Sequence, residues 1–535
     1  MNTLRTSRRA AAAALLAAFF VISATASGAT ATHSGATAAP VLVVDTAFVI
    51  KTADPAKVFE PTGSIVLHAV YDNLLTFVGS NVKKPVPQIA QSYKQSANAK
   101  KFVFKLRHNV KFSDGSKLTS ADVVFSLNRM KNIKSSNSNL LDGVTITAQG
   151  PYQVTITSDH PYPGLPYVLP SPPFGIAEAK ALQAHGGVSG ADASSSDKAE
   201  SFLNQQSAGS GPYTVTTFDV SSQVVLTANP NYWGKPKPAF SRIVLRNADA
   251  NRQKLDIQRG DSQLVTDLAG DLLTGLPSSL KRASATVDQW FLYANADRAV
   301  SGTTSNPHFW AAVRYGLDYQ GLVSLAGFGA KQAPGVIPSS YVAALPMKSA
   351  IKRNVTKAKA QVKALGLANP SASLIYPTIT FDGIDFGSVA AKIKADLNEV
   401  GLNINLVPLP IGSFLAQYRS GKSEMGITPW QSNTPDPSGW FPFAPGEVVG
   451  LRAGWTKDNA PKTVVFWANK ANTDTNPARR IKDYILFQKQ LNGYSPIFPM
   501  FQTSAVAVGA AQLGGVNVTV AGWRTDLRTL RWKGK

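Results

Sequence analysis

The chain has 535 residues, 44% of them hydrophobic and 16% charged, no cysteine, and a formal net charge of +22. At roughly 100–200 residues per domain such a length calls for several lobes, and the composition is globular rather than disordered or collagenous. The missing cysteine excludes disulfides, thiolate metal sites, cysteine nucleophiles and a lipid-modified N-terminal cysteine, and the scattered basic residues form no nucleic-acid arm.

The N-terminal segment reads as an export signal. Arg5, Arg8 and Arg9 precede an uncharged apolar run from Ala10 to Ile22, and Ala24-Thr25-Ala26 offers a small-residue cleavage site. Residues 1–26 are therefore expected to be a signal peptide. General secretion is preferred to twin-arginine export, which the Arg8-Arg9 pair leaves open. Residues 27–40, rich in Ala, Thr, Ser and Gly, read as a flexible lead-in. The mature protein is expected to be periplasmic or secreted.

Further along, Phe102, Phe104 and Leu106 alternate with polar residues as in a half-buried strand. Asp114-Gly115 marks a turn, and Thr119 or Ser120 caps a helix carrying Val123, Val124, Leu127 and Met130. Val144, Ile146, Val154 and Ile156 predict a hairpin with Gly150-Pro151 at its turn. Proline-rich residues 161–173 predict an extended or looping stretch, and a lobe ends near residue 209. Val389, Ile393, Leu397 and Val400 fall on one helix face, and Gly401 sits where a left-handed cap is wanted. Flanked by strand-like Leu374–Phe381 and by Leu402, Ile404 and Leu406, this helix predicts a βαβ-like unit in an α/β lobe.

Several blocks, in order, resemble the family 5 extracellular solute-binding proteins, which include oligopeptide-, dipeptide- and nickel-binding members. The most specific runs from Phe102-Val103-Phe104-Lys105-Leu106-Arg107 through Val110-Lys111-Phe112-Ser113-Asp114-Gly115 to Leu118-Thr119-Ser120-Ala121-Asp122-Val123-Val124-Phe125-Ser126. It is accompanied by Val70-Tyr71-Asp72-Asn73-Leu74, Gly209-Ser210-Gly211-Pro212-Tyr213, Asn229-Pro230-Asn231-Tyr232-Trp233-Gly234, and the helix-like block from Asn306 to Asp318. The resemblance implies an α/β, two-lobed periplasmic-binding-protein fold (type II, cluster C) with an extra accessory domain. It further implies a first domain assembled from residues 41–85, 210–288 and 500–535, an accessory domain over 86–209 and a third domain over 289–499, with hinge crossings near 289 and 499. A monomer without cofactor would close on a peptide or other small amphipathic solute and hand it to an ABC transporter permease, its only link to a membrane.

The candidate ligand loop follows the strand that ends at Trp430. In peptide-binding members the block reads W-x-x-D, its Asp pairing with the peptide ammonium; here Trp430 matches but Asn433 replaces the acid. Asn433 cannot neutralise a buried ammonium, which puts a free-amine peptide in doubt unless a shifted loop brings Asp436 into its place. Trp430 and Trp440 are candidates for stacking on the ligand, against the alternative of lobe packing. Tyr71 and Phe501 are candidates for cleft contact on the resemblance, and Arg452 for a ligand carboxylate.

Two other readings are kept. Gly260-Asp261-Ser262 suggests a secreted hydrolase, although Gln263 follows it and no G-x-S-x-G elbow is present. A ligand sensor or adaptor on the same binding fold is the other. The six histidines show no metal-pair spacing, so neither metal nor nickel binding is expected.

Overall fold

The computed structural model describes residues 40–432 and 434–534. The export signal, all of the lead-in except Pro40, and Asn433 lie outside the described residues.

The alternation at Phe102, Phe104 and Leu106 forms the strand Lys101–Leu106, with those three side chains buried. It lies in a four-stranded antiparallel sheet with Ala90–Gln95, Gln153–Ser158 and Val144–Ala148. The helix Ser120–Asn132 covers that sheet, and the Thr119 backbone N–H donates to Asp122 Oδ2 at 2.8 Å across its first turn. The proline-rich stretch is less extended than its composition predicts. It holds a helical turn at Leu165–Val168 and a 3₁₀ turn at Pro172–Phe174, because proline is tolerated in a first helical turn.

The larger sheet runs, in spatial order, Asn403–Leu409, Ser371–Pro377, Met425–Trp430, Lys281–Ala294, Ile497–Gly509, Leu264–Val265, Val41–Thr46, Arg242–Asn247, Gln223–Ala228 and Tyr213–Asp219. The βαβ-like expectation appears here. Ser371–Pro377 and Asn403–Leu409 are parallel, joined through the helix Phe386–Glu399, which buries Val389, Ile393 and Leu397. Gly401, at φ +97°, lets the chain reverse into the second strand.

Two long strands, Lys281–Ala294 and Ile497–Gly509, belong to both wings of this sheet. Gln289 to Ala294 pair with Met425–Trp430 on one wing, while Val508 and Gly509 pair with Leu264–Val265 on the other. Between the wings the register of the long pair shifts, at Thr286 and Asp288. Such a bulge bends the strand and re-aims its side chains.

Buried arginines brace the surrounding segments. Arg129 donates to Asp54 at 2.7 and 2.5 Å and to both oxygens of Asp197 at 2.8 Å. That fork joins the N-terminal loop to the covering helix.

Candidate functional site

The strand crossing is one of the places where the backbone leaves room. Two adjoining cavities, of about 290 and 230 Å³, share Thr266, Asp267, Asp382, Ala505, Val506 and Arg524. A third, of about 80 Å³, meets the second at Pro61 and Arg524 and is walled by Gln431, Ser432 and Thr434. Arg524 thus borders all three.

Its position is set by the loop that carries it. The Thr519 N–H donates to the Arg524 carbonyl at 2.7 Å, and the Arg524 N–H donates to Ala521 at 2.9 Å. On one side Trp523 is buried and stacks on the His68 ring at 3.8 Å; on the other, Thr525, Asp526 and Leu527 are buried. These anchors hold Arg524 at φ +54°, a left-handed conformation that costs an ordinary L-residue about 1–2 kcal/mol. Among the described residues Arg524 makes no ion pair within 4.0 Å.

Asp382 reaches the same space from the other wing. Thr380–Phe381 and Ile384–Asp385 form a hairpin closed by Asp382 and Gly383, with φ +50° and +78°. Two positive φ values make a type I′ turn, the geometry that favours Asp-Gly. Asp288, on the bulge, is buried and accepts from the Thr503 hydroxyl at 3.2 Å. Burial first, and then the Asp382 charge, push the Asp288 carboxyl up to about 7, against the opposing pull of Arg524.

The residues expected from sequence fall elsewhere. Tyr71, Trp440 and Phe501 are each at most 1% exposed and border none of these cavities. Phe501 stacks on Trp290 at 5.3 Å, Trp440 meets Tyr341 edge-on at 5.5 Å, and Tyr71 packs against Gly175 and Gly209. Asp436 is fully buried and accepts both terminal nitrogens of Arg480 at 2.6 and 2.8 Å. Burial alone would raise its carboxyl, but Arg480 overrides this and holds it below the usual range. It is therefore already mated within the fold. Trp430 is half-buried, its indole N–H donating to the Gly439 carbonyl at 3.0 Å, and it adjoins the cavity wall at Gln431. Arg452 lies over the Tyr418 ring at 4.8 Å. The loop after Trp430 thus does border a cavity, through Gln431, Ser432 and Thr434.

Sequence reasoning missed Asp288, Asp382 and Arg524. Asp382-Gly383 is a turn dipeptide that would have placed Asp382 at a hairpin tip. Asp288 and Arg524 carry no local signal, since their importance comes from the crossing of segments over 200 residues apart. The hydrolase reading meets a specific obstacle. Ser262 is buried and its hydroxyl donates to the Leu264 carbonyl at 2.9 Å, so it is not poised as a nucleophile. No group of three or more metal-ligating side chains occurs among the described residues.

Comparison with known proteins places this geometry in context. Residues 84–446 match the family described as bacterial extracellular solute-binding proteins, family 5 Middle. The chain is 25% identical over 462 residues to the probable D,D-dipeptide-binding periplasmic protein DdpA of Escherichia coli (strain K12), covering 84% of this chain and 86% of that protein. It is 24% identical over 492 residues to the glutathione-binding protein GsiB of the same organism, covering 87% and 89%. In fold it is similar to HbpA2 from Haemophilus parasuis, with a TM-score of 0.79 at 19% identity over 92% of this chain and all of that one.

Proposed function

Because the chain belongs to the bacterial extracellular solute-binding proteins of family 5, we propose that it is the exported substrate-binding component of an ABC importer, capturing a peptide or similar small amphipathic solute and delivering it to a membrane permease. The family and the fold are those of non-enzymatic binding proteins. The observation that carries the reading is the set of joined cavities at the strand crossing, walled by both wings of the sheet and bordered throughout by Arg524. A small, partly polar cleft of this kind suits a solute that a few placed groups orient.

Three domains support this work: residues 41–85, 210–288 and 500–535 as the first, 86–209 as an accessory domain, and 289–499 as the third. Only the two long strands continue from the first into the third within the large sheet, and the bulge at Asp288 gives the pair a place to bend. Hinged closure would desolvate the solute and strengthen each polar contact to it. DdpA and GsiB, named for binding a dipeptide and glutathione, favour a solute of two or three residues. The two larger cavities, each below the range of about 300–1,000 Å³ usual for ligand sites, suit so small a solute. No helix among the described residues is long and apolar enough to cross a membrane, in keeping with a protein that meets the membrane through its permease.

Native mass spectrometry of the secreted protein tests the reading. A retained low-mass solute, or thermal stabilisation by short peptides, is the expected outcome. A protein that carries nothing and that no short peptide or sugar stabilises would refute it.

A further inference from the structure

A separate cavity, of about 210 Å³, lies where four segments meet: the end of the helix Pro61–Val70, the hairpin turn at Gly79, the loop after Tyr232, and the C-terminal stretch from Asp526 to Thr529. It shares no lining residue with the three cavities that Arg524 borders. All four segments belong to the stretches assigned above to the first domain, so the cavity does not depend on lobe closure.

The charges around it are unequally answered. Asp526, the one acid on its lining, is buried and engaged: Oδ1 lies 3.5 Å from His68 Nε2 and accepts from the Arg528 N–H at 3.0 Å. Asp72, fully buried behind the lining, accepts from Gln88, Ser210 and the Trp233 indole, and pairs with Arg528 Nη2 at 3.1 Å. The Arg528 side chain donates from that same Nη2 to the Tyr232 hydroxyl at 3.2 Å. Its Nε and Nη1 donate to nothing among the described residues, in a side chain that is 16% exposed on the cavity wall. Lys235 and Lys237 are exposed on the same lining, and among the described residues neither has a carboxylate within 4.0 Å. Lys237 donates to the Tyr232 carbonyl and lies 5.8 Å from the centre of the Tyr232 ring, whose hydroxyl meets Arg528. Tyr232 thus draws the lysine and the arginine to one wall.

We infer that this cavity is a second binding site, for an oxyanion of the phosphate class, held by the open donors of Arg528 and the ammonium groups of Lys235 and Lys237. A guanidinium offers a planar fork of donors that fits such oxygens, and each lysine adds a point charge. Three cations on two segments can each take a different oxygen of a tetrahedral ion, whereas a carboxylate has only two oxygens to give. Phe77, Val78 and Pro236 add apolar surface beside the cations, which suits a small organic group attached to the phosphate. That phosphate belongs either to a free ester or to a lipid headgroup. The chemistry is the same, and a net charge of +22 favours the approach of both.

The test is isothermal titration of the secreted protein with inorganic phosphate, phenyl phosphate and acetate at one ionic strength, beside sedimentation with phosphatidylglycerol and with phosphatidylcholine vesicles. Two variants are compared with the wild type. One carries Lys235→Gln and Lys237→Gln together. The other is Val78→Asp, which sets an acid at the mouth from a residue that is 66% exposed. Melting curves check that each is folded, and either one alone serves if the other is not. For a free-phosphate source the expected result is saturable binding of inorganic phosphate, tighter for phenyl phosphate and weaker for acetate. Each variant should weaken it by about tenfold. For a headgroup source the free ions do not bind, and the protein sediments with phosphatidylglycerol but not phosphatidylcholine, which each variant abolishes. Three results overturn the assignment: no binding of phosphate in either form, acetate bound as tightly as phosphate, or binding that the folded variants keep at wild-type strength. The last is what diffuse attraction to a basic protein gives. Solute binding at the strand crossing should be unchanged in both variants. A variant that loses phosphate and solute together overturns the separation of the two sites, while a protein that binds phosphate and no solute leaves this inference standing without the solute-binding reading.

Discussion

At Arg480 both terminal nitrogens of the guanidinium meet the Asp436 carboxylate, and at Arg129 the fork is closed by two carboxylates, Asp54 and Asp197. At Arg524, three residues from equally buried Ala521 and next to buried Trp523, the guanidinium faces joined cavities and meets no ion-pair partner among the described residues. In the first two regions each guanidinium is paired with buried carboxylate, although Arg480 Nε is buried without a hydrogen-bond partner. Every charge is answered, and the side chains pin segments far apart in sequence. The third keeps a guanidinium without an ion pair within 4.0 Å, beside a buried carboxyl, Asp288, that burial pushes up to about 7. A charge paired within the fold marks a brace; a guanidinium without an ion pair, bordering a cavity, marks a place open to a solute.

The sharpest way to break this contrast is at Asp436. If it is a brace, Asp436→Asn leaves Arg480 as an uncompensated buried charge and costs about 3–5 kcal/mol. Chemical denaturation should then show a large drop in midpoint with an unchanged slope. If Asp436 is instead a ligand group, the same change would abolish solute binding at nearly wild-type stability, and the division between braces and open sites would fall.

How far the sequence led to this point depends on what each residue answers to. The helix Phe386–Glu399 and its flanking parallel strands were legible because periodicity and the Gly401 cap are local signals. The four-stranded sheet and its covering helix were legible for the same reason, through Phe102, Phe104, Leu106 and the Thr119–Asp122 cap. The sequence pointed to the loop after Trp430, and Gln431, Ser432 and Thr434 of that loop wall a cavity. Trp440 and Phe501 read equally well as cleft walls or as core, because an aromatic side chain serves either use, and the structure packs both against other rings. Asp288 was illegible for a physical reason. Its character comes from a register shift between strands whose paired residues, Asp288 and Thr503, are 215 positions apart, and from a hairpin tip folded over it.

The unsaturated region makes its own smaller prediction, with a definite sign. The folded-state carboxyl of Asp288 is raised, so its contribution to stability is fully present below the ordinary aspartate range, near pH 4, and is lost as pH rises through about 7. Asp288→Asn keeps an oxygen that can accept from the Thr503 hydroxyl and removes the titration. Relative to the wild type, the variant should gain on the order of 2 kcal/mol between pH 5 and pH 8, read from paired melting curves. A difference that stays constant across that range would mean that the fold does not raise the Asp288 carboxyl.

The smallest effect tells most about why the open region persists. Arg524 holds a left-handed backbone that asparagine accepts more readily, and its charge is not consumed by the fold. Arg524→Asn should therefore leave the protein as stable as the wild type or stabilise it by about 0.5–1 kcal/mol. The same change should weaken solute binding at the joined cavities that Arg524 borders, so that stability and binding move in opposite directions. A brace cannot behave this way, because its loss lowers stability first and function only through it. Thermal denaturation and titration on the same preparation separate the two cases. A variant less stable by more than about 1 kcal/mol would make Arg524 a structural residue like Arg480, and the distinction between mated and open guanidinium groups would no longer identify the site.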